Sequence, residues 1–212
     1  MKTEDWTSLL ARGIEPVNPW ATRRYWLAVP GGFLGSLAIT GGMLHFNRML
    51  ARELLEPMFW VREGFCVSLG LLALIGMARL ARPGRVLGRV PAGIAGILFG
   101  IWIWSIADLL LAPADQRASL WLGTTAAVCP FLIALVAAPL LVAMLWILRG
   151  LAPTRLRLAG AVAGFAAGSL GALAYSLHCP ELTIPFVATW YFLGILIPTA
   201  LGAWCGPRVL RW

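Results

Sequence analysis

Charge is scarce in this chain, and acidic charge is scarcest. Asp and Glu number 9 against 17 Lys and Arg, and charged residues make up 12% of 212, where soluble domains average about 25%. Only 4 cysteines and 2 histidines occur. No two cysteines have Cys-x-x-Cys spacing, so thioredoxin-like chemistry and the usual quinone-linked oxidase pattern lack their motif. No serine–histidine–acid constellation, phosphate loop or paired-carboxylate hydrolase signature occurs, and no enzyme is expected. The apolar runs do not alternate with polar residues, which excludes a membrane β-barrel. The first run lacks a following small-residue cleavage site, so it reads as a span rather than a secretory signal.

What is present is apolar length. Hydrophobic residues reach 60%, and mean hydropathy is +0.82. Six long runs dominate: 25–46, 58–78, 90–112, 118–148, 158–177 and 183–204. Each reaches the ~20 residues that a helix needs to cross a bilayer. Lipid-embedded backbone must satisfy its own hydrogen bonds, so continuous apolar runs imply helices. The expected fold is all-α: a bundle of six transmembrane helices over residues 25–212, preceded by an arm over 1–24. Gly160, Gly164, Gly168 and Gly171 in the fifth run have the small-residue spacing of closely packed membrane helices.

The net charge of +8 invites a nucleic-acid reading, but its distribution favours topology. Lys2, Arg12, Arg23 and Arg24 precede the first run; Arg79, Arg82, Arg85 and Arg89 follow the second. Arg149, Arg155 and Arg157 follow the fourth, and Arg208 and Arg211 close the chain. The alternate loops hold only Arg48, Arg52 and Arg117. Basic residues mark the cytoplasmic face, so both termini are expected inside, with no direct nucleic-acid partner. In the arm, Thr3 caps a short helix whose Trp6, Leu9 and Leu10 share one face, suited to the bilayer surface or to a partner. Asn18-Pro19 signals the start of the first membrane helix.

The fourth run is too long for one crossing. Counting back about 20 residues from Arg149 reaches Cys129-Pro130 at the outer mouth. Residues 120–128 then lie along the outer interface, or the helix tilts strongly. The fifth run ends on the same side, followed at once by His178, Cys179, Pro180 and Glu181. Two Cys-Pro pairs thus arrive at similar depth, facing an oxidising compartment if the membrane is a bacterial inner membrane. Cys129 and Cys179, with His178 and Glu181 as accessory ligands, suit either a disulfide or a soft divalent metal. Cys66 and Cys205 read as packing residues, and His45 as an interfacial one. Arg62, Glu63 and Asp108 fall within the second and third runs. The favoured reading is an Arg–carboxylate pair near the interface, with Arg62 snorkelling outward.

Ser176-Leu177-His178-Cys179-Pro180-Glu181, then Trp190-Tyr191 and Gly206-Pro207-Arg208, give the tail its character. With Ala152-Pro153-Thr154 and Glu56-Pro57-Met58-Phe59-Trp60, the whole chain resembles the "negative regulator of sigma F" family, proteobacterial inner-membrane anti-sigma factors with six spans. The resemblance implies a protein that holds a cognate extracytoplasmic-function sigma factor at the membrane, away from RNA polymerase. It implies that Cys129 and Cys179 carry sensing of oxidative or heavy-metal stress. No cofactor is then required beyond a transient heavy-metal ion. Trp6, Leu9 and Leu10, with Arg82, Arg85 and Arg89, are the expected partner-binding residues. The alternatives are a metal-ion transporter, which needs further ligands deep in the bundle, and a thiol-redox membrane protein.

Overall fold

The computed structural model describes residues 19–82, 84–151 and 153–211. Trp6, Leu9 and Leu10, and the short helix expected around them, lie outside the described residues. The described residues form helices α1 (Pro19–Ile39), α2 (Leu50–Glu53), α3 (Pro57–Leu80), α4 (Val90–Leu111), α5 (Ala114–Leu122), α6 (Cys129–Arg149), α7 (Leu156–Ser176) and α8 (Ile184–Val209). Six of them, all but α2 and α5, hold stretches long and apolar enough to cross a membrane. Two depart from α geometry: α1 continues into a π-helical turn at Thr40–Leu44, and α8 contains one at Val187–Tyr191.

Proline sets several starts. Pro57, Pro91, Pro130 and Pro185 occupy first-turn positions, where a missing N–H costs nothing and the fixed φ suits a helix. The expected break in the fourth apolar run is real. Gly123 ends α5 at φ +52°, a conformation that favours glycine. A turn over 124–128 then restarts the chain as α6 at Cys129.

α7 is the central helix and packs against α8, α6 and α3; α1 lies against α6, and α4 against α3. Gly160 and Gly164 let α7 and α8 touch backbone to backbone: a methyl at either would occupy the space of the Gly202 or Pro198 carbonyl. Without a water-driven hydrophobic effect, such close packing is what holds membrane helices together. Ser36 of α1 donates to the Val136 carbonyl of α6 at 2.7 Å, so its buried hydroxyl is satisfied. Large apolar side chains such as Phe99, Ile103, Phe131 and Val142 point outward, as lipid-facing surfaces require.

The antiparallel helices bring two groups of loops to opposite ends. One end carries residues 45–56, α5, the 123–128 turn and the 177–183 link. The other carries loops 81–89 and 150–155 and the end of α8.

Candidate functional site

The site forms where the first turn of α6 meets the link between α7 and α8. Cys129 opens α6, and Cys179 lies three residues beyond the end of α7. Both thiols are fully buried and free rather than disulfide-bonded. They adjoin each other in a core cluster that also holds Cys66, Tyr175, Phe186 and Tyr191. The π turn of α8 ends at Tyr191, whose hydroxyl turns toward Cys179, while that of Tyr175 turns toward Cys129. Neither hydroxyl finds a partner of good hydrogen-bond geometry among the described residues. Buried hydroxyls without partners are rare, and here both face sulfur.

Cys179 sits below the ordinary thiol range. The neighbouring Cys129 thiol favours its thiolate most, and burial works against this; the Glu181 backbone N–H, the Tyr191 hydroxyl and the Arg62 charge add to the lowering. Thr125 Oγ1 lies 3.9 Å from the Cys179 sulfur.

Arg62 is the charged centre of this end, and it does not snorkel. It is 0% exposed. Its Nη1 donates to the carbonyls of Cys179 at 2.9 Å and Glu181 at 2.8 Å, and Nη2 to that of Ser176 at 2.9 Å. Nε faces Glu63 at 3.4 Å, and Nη2 lies 3.9 Å from Glu53. The expected Arg–carboxylate pair exists, but its cation turns inward. The reason lies at the end of α7 and in the link beyond it: the last carbonyl of the helix, at Ser176, has no intrahelical partner and sits at the negative end of the dipole, and the Cys179 and Glu181 carbonyls lie in the non-helical link. A rigid guanidinium fork satisfies several at once. Asp108 is elsewhere, lining a cavity with Glu56 and Thr183.

A second set of bonds straps α5 across this end. The Glu181 carboxylate accepts from Thr124 N–H and Thr124 Oγ1, both at 2.7 Å. Thr183 donates to the Leu120 carbonyl at 2.8 Å. Trp121 donates to Thr189 Oγ1 at 3.1 Å, and Trp190 to the Trp121 carbonyl at 2.8 Å. His178 Nδ1 donates to the His45 carbonyl at 2.8 Å, and Asn47 N–H to the Leu177 carbonyl. His178 and Glu181 are therefore committed to other partners. Among the described residues, no three His, Cys, Asp or Glu side chains are arranged to hold a metal ion.

Sequence reasoning brought Cys129 and Cys179 to one depth, and they are neighbours. It passed over Arg62 as the clamp, and Tyr175 and Tyr191 as the walls. An arginine beside a glutamate, deep in an apolar run, was the available signal. At the opposite end Arg82, Arg85 and Arg89 are all exposed, on a loop where Arg79 donates to the Leu87 carbonyl at 3.0 Å.

Comparison with known proteins agrees over the whole chain. The sequence model of a family described as "Negative regulator of sigma F" matches residues 10–212. A "Probable anti-sigma-F factor NrsF" of Azospira oryzae is 42% identical over 213 residues, covering 100% of both chains. An "Anti-sigma-F factor NrsF" of Caulobacter vibrioides is 38% identical over 219 residues, again covering 100% of both. No solved structure matches.

Proposed function

We propose, from the premise that this chain belongs to the negative regulator of sigma F family, that it holds a sigma factor at the membrane and releases it when Cys129 and Cys179 are bridged. Family membership makes it a regulator, not an enzyme, and its helices make it a multi-pass membrane protein. In this reading the arginine-rich end faces the cytoplasm of a bacterial inner membrane, and the thiol end faces the oxidising side. The partner is an extracytoplasmic-function sigma factor, met by the arm bearing Trp6, Leu9 and Leu10 and by the loop bearing Arg82, Arg85 and Arg89. Acidic surface on the partner complements those arginines.

One observation carries the sensing step: two adjoining, buried thiols on separate elements, one of them in the link whose backbone Arg62 grips. An oxidant takes two electrons and two protons from the pair as the S–S bond forms. A thiophilic metal ion instead displaces the two protons and sits between the sulfurs. Either event draws the 177–183 link toward α6 and loads Arg62, hence α3. The 24 residues of α3 span about 36 Å at 1.5 Å each and lead to the exposed arginine loop. A signal acts only through its preference for one of two states, and a bridge exists in one state only.

The test replaces Cys129 and Cys179 with serine, singly and together, and reads sigma-dependent transcription with and without an oxidant or cadmium. The double variant is expected to repress normally and to ignore the stress. A full response in that variant removes the thiols from the mechanism. Response to metal under anaerobic, reducing conditions distinguishes the ion bridge from the disulfide.

A further inference from the structure

The outer face of α8 carries a stripe that neither the thiol site nor the helix packing uses. Leu193, Leu196, Ile197 and Ala200 recur at the three- and four-residue spacing of one helical face. They line an apolar groove of about 420 Å³ between α8 and the start of α6. The same stripe runs on through Ala203, Trp204, Pro207 and Arg208, and there it lines a second cavity of about 780 Å³. Ala200 lines both, so the two hollows abut in a channel along one side of α8.

The ends of this channel differ in chemistry. Its far end is walled by Phe131 and Trp190 as well as the aliphatic stripe. Its near end is ringed by Arg157 of α7 with Arg208 and Arg211. All three arginines are exposed, and among the described residues none forms a salt bridge. Arg208 stacks 4.4 Å above the Trp204 ring and donates to the Trp204 carbonyl at 3.0 Å. That contact fixes its guanidinium at the rim rather than leaving it to wander. Counted from Arg208 at the rim, the helix passes Trp204, Ala203 and Ala200 and reaches Ile197 after about 16 Å, close to half of a ~30 Å hydrocarbon core, which is the depth of one leaflet.

A cationic rim on top of a leaflet-deep apolar groove matches an anionic amphiphile, not a free anion. We infer that this channel binds one anionic phospholipid, its phosphate held by Arg157, Arg208 and Arg211 and an acyl chain laid along Trp204, Ala203, Ala200 and Ile197. Basic pockets between helix ends are where acidic headgroups collect, and guanidinium groups match phosphate geometry. The shared chemistry with a soluble phosphate is confined to the rim. The groove is what separates the two.

Native mass spectrometry of the full chain in mild detergent tests this, with phosphatidylglycerol and phosphatidylcholine of identical acyl chains offered together. The wild-type chain is expected to retain one phosphatidylglycerol at least tenfold over phosphatidylcholine. Combining Arg157→Gln, Arg208→Gln and Arg211→Gln is expected to abolish that preference, whereas the charge-matched set Arg82→Gln, Arg85→Gln and Arg89→Gln retains it. Ala200→Trp, which plugs the groove and leaves the rim, is expected to lower retention severalfold. If the triple rim variant does not fold, Arg208→Gln alone is read, with a several-fold loss expected. Equal retention of both lipids by the wild type, or equal loss in the two triple sets, overturns the inference. So does displacement of the lipid by millimolar glycerol phosphate, which makes the rim a plain anion site. Displacement by micromolar polyglutamate likewise overturns it, in favour of an acidic protein segment.

Discussion

The two ends of the bundle are built by opposite rules. At the thiol end, the central charge, Arg62, is buried and bonded. Arg62 grips three carbonyls, Glu181 latches Thr124, and Trp121 and Trp190 tie α5 to α8. At the arginine end the loop over 81–89 keeps Arg82, Arg85 and Arg89 in the open. The first arrangement holds a geometry; the second offers a surface. The proposed detector needs the former, because two sulfurs respond as a pair only while their separation is fixed. An interface needs the latter, because buried arginines meet no partner.

Substitutions can break this contrast, beginning with Arg62. Arg62→Gln leaves carbonyls and glutamates without their cation, and removing one member of a buried charged set costs about 3–5 kcal/mol. A drop of many degrees in the unfolding temperature of detergent-solubilised protein is the expected readout. Gly123→Ala comes next. A Cβ there lies 2.6 Å from the Glu181 carboxyl carbon, at φ +52°, and such strain costs about 1–3 kcal/mol. Proteolysis of the 112–128 segment should accelerate while the bundle stays folded. Glu181→Gln keeps the shape but weakens a charge-assisted acceptor, for about 1 kcal/mol. By contrast Arg85→Gln, at the open end, should move stability by less than about 0.5 kcal/mol while weakening capture of the sigma factor.

The chemistry of the closed end can be sharpened by pH. In a background lacking Cys66 and Cys205, alkylation of Cys179 should reach half its maximal rate below the ~8.5 of an ordinary thiol, because its thiolate is favoured. Cys129→Ala removes the largest favourable contribution, so the midpoint should move upward. A midpoint unmoved by that change would mean that the two thiols do not communicate.

Much of this was legible in advance, and the reasons are physical. Span lengths follow from bilayer thickness, so the six crossings and the surplus in the fourth run could be read directly. The restart at Cys129 followed from counting back from Arg149. Arg62 was not legible. A cation near the end of an apolar run has two exits, outward to water or inward to carbonyls. Nothing local chooses between them, since its partners Ser176, Cys179 and Glu181 lie more than a hundred residues away. Tyr175 and Tyr191 were hidden for the same reason, as was the π turn that carries Tyr191, because one extra residue in a helix leaves no mark on hydrophobic pattern.

Within residues 176–181 the Arg62 grip falls on main-chain oxygens alone. The bonds to Arg62 thus ask for no particular side chain at 176, 179 or 181. Under the proposed sensing, the reactive group at this turn can be rewritten for another stimulus while the Arg62 link to α3 is kept.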